Sequence, residues 1–136
     1  MFAAPNRVWF TALCLMLEGM LMPMAEAAGN LESGQKLFKW CASCHQVGPS
    51  ARNGFGPQLN GVIGRRAGTT DYRYSPAMKS AGVIWTEANL AAFMRDPAKV
   101  VPGTKMRFWG IGNDQEIADI LSYLRTFQSI PQAGQQ

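Results

Sequence analysis

Cys41-Ala42-Ser43-Cys44-His45 is the stretch around which the rest of the chain must be arranged. Two cysteines three apart, followed directly by a histidine, form the spacing of covalent haem attachment. Each thiol adds across one haem vinyl group, so two thioether bonds pin the macrocycle to the chain. The adjoining His45 imidazole then reaches the iron as an axial ligand. A flat apolar group held in this way becomes the centre of the core, because the other segments must cover it. A Cys-x-x-Cys pair also serves as a redox dithiol, half of a zinc site or a structural disulfide. Zinc needs about four ligands, and outside the motif the chain has only Cys14 and no second histidine. No βαβ pattern surrounds residue 41 to support a thioredoxin-like dithiol.

The chain has 136 residues, 47% hydrophobic and 16% charged, which fits one globular domain rather than a disordered chain. Its first 27 residues read differently. A basic start at Arg7, an apolar run from Val8 to Leu17 and the small residues of Ala25-Glu26-Ala27 look like a secretory signal peptide. Glu18 and Pro23 interrupt the apolar stretch and argue against a stable membrane span, with an uncleaved anchor as the alternative. Domain organisation is therefore expected as 1–27 signal peptide, 28–130 folded domain and 131–136 polar tail. Without residues 1–27, twelve Lys/Arg stand against seven Asp/Glu, a net charge of +5. The cations are scattered and no nucleic-acid module is visible, so acidic protein partners fit better than nucleic acid. Cys14 would leave with the signal peptide, committing both remaining thiols to the motif.

Asn30 reads as the cap of a helix running to about Trp40, with Glu32 in its first turn and Gly34 on or near its apolar face. Glycine inside a helix costs roughly 1 kcal/mol against alanine, a cost that a close helix crossing would offset. Residues 46–74 are loop-rich, with seven glycines or prolines between Gly48 and Gly64. So long an irregular stretch is expected to wrap something. At Gly56-Pro57, a backbone carbonyl is placed to accept the second imidazole N–H of His45 and fix its tautomer. Ser75-Pro76 and Gly82 bound a short helix, and Thr86 caps another that ends before Pro97. Asn113 with Glu116 opens the last helix, where Ile117, Ile120, Leu121, Leu124 and Phe127 repeat at helical spacing. No segment alternates as a strand, so the expected class is all-α with loops.

His45 is the single histidine, so the iron cannot carry two imidazoles. A methionine sulfur, a lysine amine or nothing can occupy its other face. Met94 shares a helix face with Leu90 and Phe93, which reads as core, and Met78 lies inside the short helix. Met106 lies in the non-helical stretch Pro102-Gly103-Thr104-Lys105-Met106-Arg107-Phe108, and periodicity favours it over the other two. Trp109, just after that stretch, could point outward or inward.

Over residues 30–127 the chain resembles the class I c-type cytochromes, the soluble mitochondrial and bacterial cytochrome c type. The matching stretches are Gly34-Gln35-Lys36-Leu37-Phe38, the Cys41–His45 motif, Gly56-Pro57-Gln58-Leu59, Tyr74, Gly82-Val83-Ile84-Trp85, Pro102-Gly103-Thr104-Lys105-Met106 and the terminal helix through Tyr123. The resemblance implies a cytochrome c fold of about four to five helices around one haem c. It implies His45 and Met106 as the iron ligands, Pro57 as the carbonyl partner of His45, and Tyr74, Trp85 and Arg65 at a haem propionate. Gly34 and Phe38 would cross the last helix near Tyr123. Lys39, Lys99 and Lys105 would ring the exposed haem edge. Two positions depart from the family pattern: Phe93 stands where a tyrosine is common and Met78 where an asparagine is common, both removing polar groups beside the haem.

The function so implied is a periplasmic electron carrier without catalytic residues. It would cycle Fe(III)/Fe(II) as a monomer, docking on acidic faces of an oxidase, reductase or dehydrogenase and touching membrane only transiently or through an uncleaved N-terminus. The rivals are a haem enzyme with an open iron site, such as a peroxidase or gas-binding protein, and a membrane-tethered electron-transfer subunit.

Overall fold

The computed structural model describes Met1 and residues 28–129. The expected signal peptide, Cys14 and the tail at 131–136 lie outside the described residues.

Six helical segments are present among the described residues: α1 (Leu31–Leu37), α2 (Lys39–Ala42), α3 (Pro76–Ser80), α4 (Glu87–Arg95), α5 (Pro97–Val100) and α6 (Asp114–Arg125). Four of the starts follow from side-chain caps legible in the sequence. The Asn30 carboxamide oxygen accepts from Ser33 N–H, Ser75 Oγ from Met78 N–H, and Thr86 Oγ1 from Asn89 N–H. Asn113 Oδ1 accepts from the N–H groups of both Gln115 and Glu116. Each cap satisfies a donor that the first helical turn leaves without a partner. The sequence expectation of four to five helices differs in two places. The first helix tightens at Phe38 and continues as α2, and the chain re-enters a helical turn directly at Pro97. There Asp96 serves as both the C-cap of α4 and the N-cap of α5, accepting from Lys99 N–H at 3.0 Å. Proline stops α4 and starts α5 for one reason, its missing N–H.

The crossing of α1 with α6 holds the two ends of the domain together. A Cβ on Gly34 would lie 1.9 Å from the Asp119 carbonyl oxygen and 3.0 Å from Tyr123 Cβ, so only glycine allows the backbones this close. Asp119 is a buried carboxylate on α6. It accepts from Asn30 N–H at 2.7 Å and from Gln115 Nε2 at 2.8 Å, which offsets the cost of burying its charge. Ser122 Oγ donates to Gly29 O at 3.0 Å, and Phe38 meets Tyr123 with ring centroids 5.3 Å apart. The apolar stripe of α6, Ile117, Ile120, Leu121 and Leu124, is buried with Phe38, Leu90, Phe93 and Met94. Burying side chains of this size contributes about 1.5–3 kcal/mol each before entropy is counted.

No strand occurs among the described residues. One isolated antiparallel bridge joins Arg66 to Ile84. Backbone bonds run from Ala67 N–H to Val83 O (2.8 Å), Trp85 N–H to Arg65 O (2.8 Å) and Gly64 N–H to Trp85 O (2.9 Å). This clasp fixes the loop that precedes α3 to the segment that precedes α4.

Candidate cofactor site

The Cys41–His45 motif leaves the end of α2 in a tight turn. The N–H groups of Cys44 and His45 both donate to Cys41 O, at 3.0 and 2.8 Å. One turn therefore presents two thiols and an imidazole. Both cysteines are free, Cys41 half-buried and Cys44 exposed, so they do not form a disulfide. Burial pushes the Cys41 thiol up to about 11, with the Cys44 sulfur adding to the effect. That is the reverse of the depressed value a redox dithiol uses. Among the described residues no group of three His, Cys, Asp or Glu side chains is placed to hold a metal ion.

His45 Nδ1–H donates to Pro57 O at 2.7 Å. This assigns the proton to Nδ1 and leaves the Nε2 lone pair as the donor for a metal. Burial lowers the imidazole's affinity for a proton, and the Pro57 bond acts in the opposite direction. Gly56 matters more than its place before Pro57 indicates. A Cβ there would stand 2.5 Å from His45 Cε1 and 2.7 Å from Nδ1, so the ring lies directly against the Gly56 backbone.

The loop that carries Gly56-Pro57 is itself clamped. Gly56 N–H donates to Cys44 O at 2.9 Å, and Gln58 N–H donates to Asn53 Oδ1 at 3.0 Å. Asn53 Nδ2 donates to Asp71 O, and Tyr72 O–H donates to Phe55 O. Asn53 and Tyr72 were invisible to sequence reasoning, since no local pattern links positions 17 to 18 residues apart across a loop.

Tyr74, Trp85 and Arg65 are brought together. The Arg65–Trp85 backbone bond joins two of them, and Arg65 Nη1 donates to Asn60 O at 3.1 Å. Burial lowers the Arg65 guanidinium from its ordinary value, with nearby Tyr74 opposing that shift. Tyr74 O–H shares a hydrogen bond with Thr70 Oγ1, and buried Trp85 packs on Phe93 with ring centroids 4.9 Å apart. Arg66, by contrast, is exposed.

The three methionines beyond residue 27 separate clearly. Met78 and Met94 are each 8% exposed in the apolar core, whereas Met106 is half-buried at its edge. Met106 sits in a segment whose exposure alternates: Thr104, Met106, Phe108 and Gly110 turn inward while Lys105, Arg107 and Trp109 face out. The segment is anchored where Thr104 N–H meets Val101 O and where Ile111 N–H meets Met94 O at 2.9 Å. Lys39, Lys99 and Lys105 are all exposed.

Two free thiols and an oriented imidazole on one turn are the donor set for a haem held by two thioethers. A helical domain built on that turn, with an apolar core and a half-buried thioether on a separate loop, defines the class of small single-haem c-type proteins. Comparison with known proteins makes the class specific. The cytochrome c family model matches residues 31–128. The chain is 48% identical over 103 residues to cytochrome c2 of Rhodomicrobium vannielii, covering 75% of this chain and 82% of that protein. It is 44% identical over 100 residues to cytochrome c-550 of Nitrobacter winogradskyi, covering 73% of this chain and 92% of that one. Among solved structures it is similar to cytochrome cH from Methylobacterium extorquens, with a TM-score of 0.68 and 42% identity over 72% of this chain and 99% of that chain. The chain belongs to the cytochrome c family. It is a single-haem electron carrier rather than an enzyme, its cofactor is one haem c bound covalently through its two motif cysteines, and it works with redox partners.

Proposed function

We propose that this protein carries single electrons in the periplasm between respiratory or dehydrogenase partners, with His45 and Met106 as the axial ligands. Bound haem c supplies the one-electron Fe(III)/Fe(II) couple. Each side chain then has a defined task. Cys41 and Cys44 hold the macrocycle, and Pro57 and Gly56 set the tilt and tautomer of His45. Met106 brings a soft sulfur that raises the potential relative to a second imidazole. Tyr74 and Trp85 would hydrogen-bond a propionate, and the Arg65 guanidinium beside them would compensate its charge. With His45 and Met106 both bound to the iron, no place would remain for oxygen or peroxide. Exposed Lys39, Lys99 and Lys105 favour small, salt-sensitive contacts with acidic partner faces, from which a monomeric carrier can dissociate quickly. Residues 1–27 direct export and are removed, leaving a domain at 28–130 and a short tail.

The observation that carries this reading is the half-buried, non-helical setting of Met106 against the buried settings of Met78 and Met94. Among the described residues no helix is long and apolar enough to cross a membrane. Mass and visible spectra of the protein purified from its host test the proposal together. The expected result is a chain lacking residues 1–27, one covalent haem, a low-spin ferric spectrum and a weak sulfur-to-iron band at the red edge. A high-spin native spectrum would refute the ligand pair, and recovery wholly with membranes would refute the periplasmic assignment.

A further inference from the structure

The segment that holds Met106 inward also presents something outward. Trp109 is fully exposed, at 103% of its reference area, and alternates with half-buried residues in step with exposed Lys105 and Arg107. The backbone beneath it is fixed. Gly110, at φ +91°, lies so close to the end of α4 that a Cβ there would be 2.0 Å from Arg95 O. The next residue, Ile111, is buried at 4% exposure and bonded to Met94 O. An indole left wholly in water contributes nothing to this domain's core, yet it follows two exposed cations on a segment whose backbone is pinned to the end of α4. Tryptophan and arginine are the residue types that dominate binding when they enter a partner's pocket.

We propose that Lys105, Arg107 and Trp109 form the docking stripe for the redox partner, the indole entering an apolar cleft whose rim carries carboxylates. This rests on the reading of Met106 as the iron ligand. Trp109 is three residues beyond Met106, so their Cα atoms are within about 11 Å of one another whatever the loop's conformation. A partner seated on the indole is thereby brought close to the iron. A lipid surface suits the stripe less well, because interfacial binding calls for a broad amphipathic face, and here one indole and two cations project from a single segment. The two kinds of side chain divide the work. The cations act at a distance, setting association rate and salt dependence, while the indole acts only on contact and slows dissociation.

The test uses the holoprotein as purified from its host, reduced and then oxidised by membranes isolated from that host, over a range of ionic strengths. Trp109→Ala is expected to raise KM about 10- to 30-fold, with the slope of log KM against log salt as in the wild type. Trp109→Phe should recover most of that loss. Lys105→Gln with Arg107→Gln should flatten the slope. Visible spectra of the variants establish that each is folded with its ligands in place. A KM for Trp109→Ala equal to that of the wild type, with the wild type turning over normally, would overturn the docking stripe and leave the carrier reading intact. A wild-type protein that exchanges no electrons with the membranes would overturn both. Sedimentation with protein-free phosphatidylglycerol vesicles that depends on Trp109 would overturn the protein partner in favour of a lipid surface.

Discussion

Gly56→Ala is the smallest change that addresses the His45 site, since it adds one methyl group under the imidazole. The new carbon would lie 2.5 Å from His45 Cε1 and 2.7 Å from Nδ1, against ordinary carbon contacts of about 3.5–4.0 Å. The ring or the loop must therefore retreat by about 1 Å. A retreat of that size breaks the 2.7 Å bond to Pro57 O, because useful bonds of this kind end near ~3.2 Å. The lost bond costs about 1 kcal/mol and the overpacking about 1–3 kcal/mol. Alanine's reduced freedom in the unfolded chain offsets about 0.4–1 kcal/mol. The net destabilisation is about 1–3.6 kcal/mol, or a fall in Tm of roughly 5–25 °C for a domain of this size. Guanidinium unfolding of the holoprotein, followed by tryptophan fluorescence and haem absorption, measures it. Gly54→Ala is the control, since a Cβ there makes only an ordinary contact, 3.7 Å from Cys44 O. It should change stability by less than about 0.5 kcal/mol. If the two variants unfolded alike, the close packing of His45 on Gly56 would not be what limits this site.

Met106→Ala should open the iron to added cyanide or imidazole and lower the midpoint potential, whereas Met94→Ala should mainly destabilise the fold by about 2–5 kcal/mol; ligand titration and potentiometry separate the two. The Glu87–Arg125 pair joins α4 to α6, and the hydrogen bond from Arg125 holds the Glu87 carboxylate below its ordinary value of 4.5. A depressed carboxylate contributes stability that is fully present above its unfolded pKa and fades as pH falls through the folded one. Glu87→Gln should therefore flatten the loss of stability below about pH 4.5. The effect stays under about 1 kcal/mol, because the pair is screened by water, and denaturation at several pH values reads it. Removing both attachment points, with Cys41→Ser and Cys44→Ser, should leave a largely disordered chain, since half-buried Leu59, Met106 and Phe108 then lose the surface they would cover. Dispersed, native-like NMR peaks from that variant would contradict the haem-centred core.

Much of this protein can be read locally. The attachment motif depends on a spacing of five residues, and the caps at Asn30, Ser75, Thr86 and Asn113 on side chains reaching their own first turn. The apolar repeat of α6 announces a packed helix, and Gly34 within a helical stripe already pointed to the close crossing found with α6. Short-range sterics and hydrogen bonds settle all of these, so the sequence alone contains them. Other features needed the tertiary structure. Asp119 looks like one more polar residue on α6, until the start of α1 arrives to bond it. Asn53 and Tyr72 hold the His45 loop only because residues 71 and 72 come back against residues 53–55. Whether Trp109 turned outward also waited on the fold, because Gly110 packing on Arg95 sets the direction of that chain. Sequence spacing governs what a residue can reach within one turn, whereas contacts closed by long loops follow from packing of the whole chain, and those contacts decide which side chains face solvent.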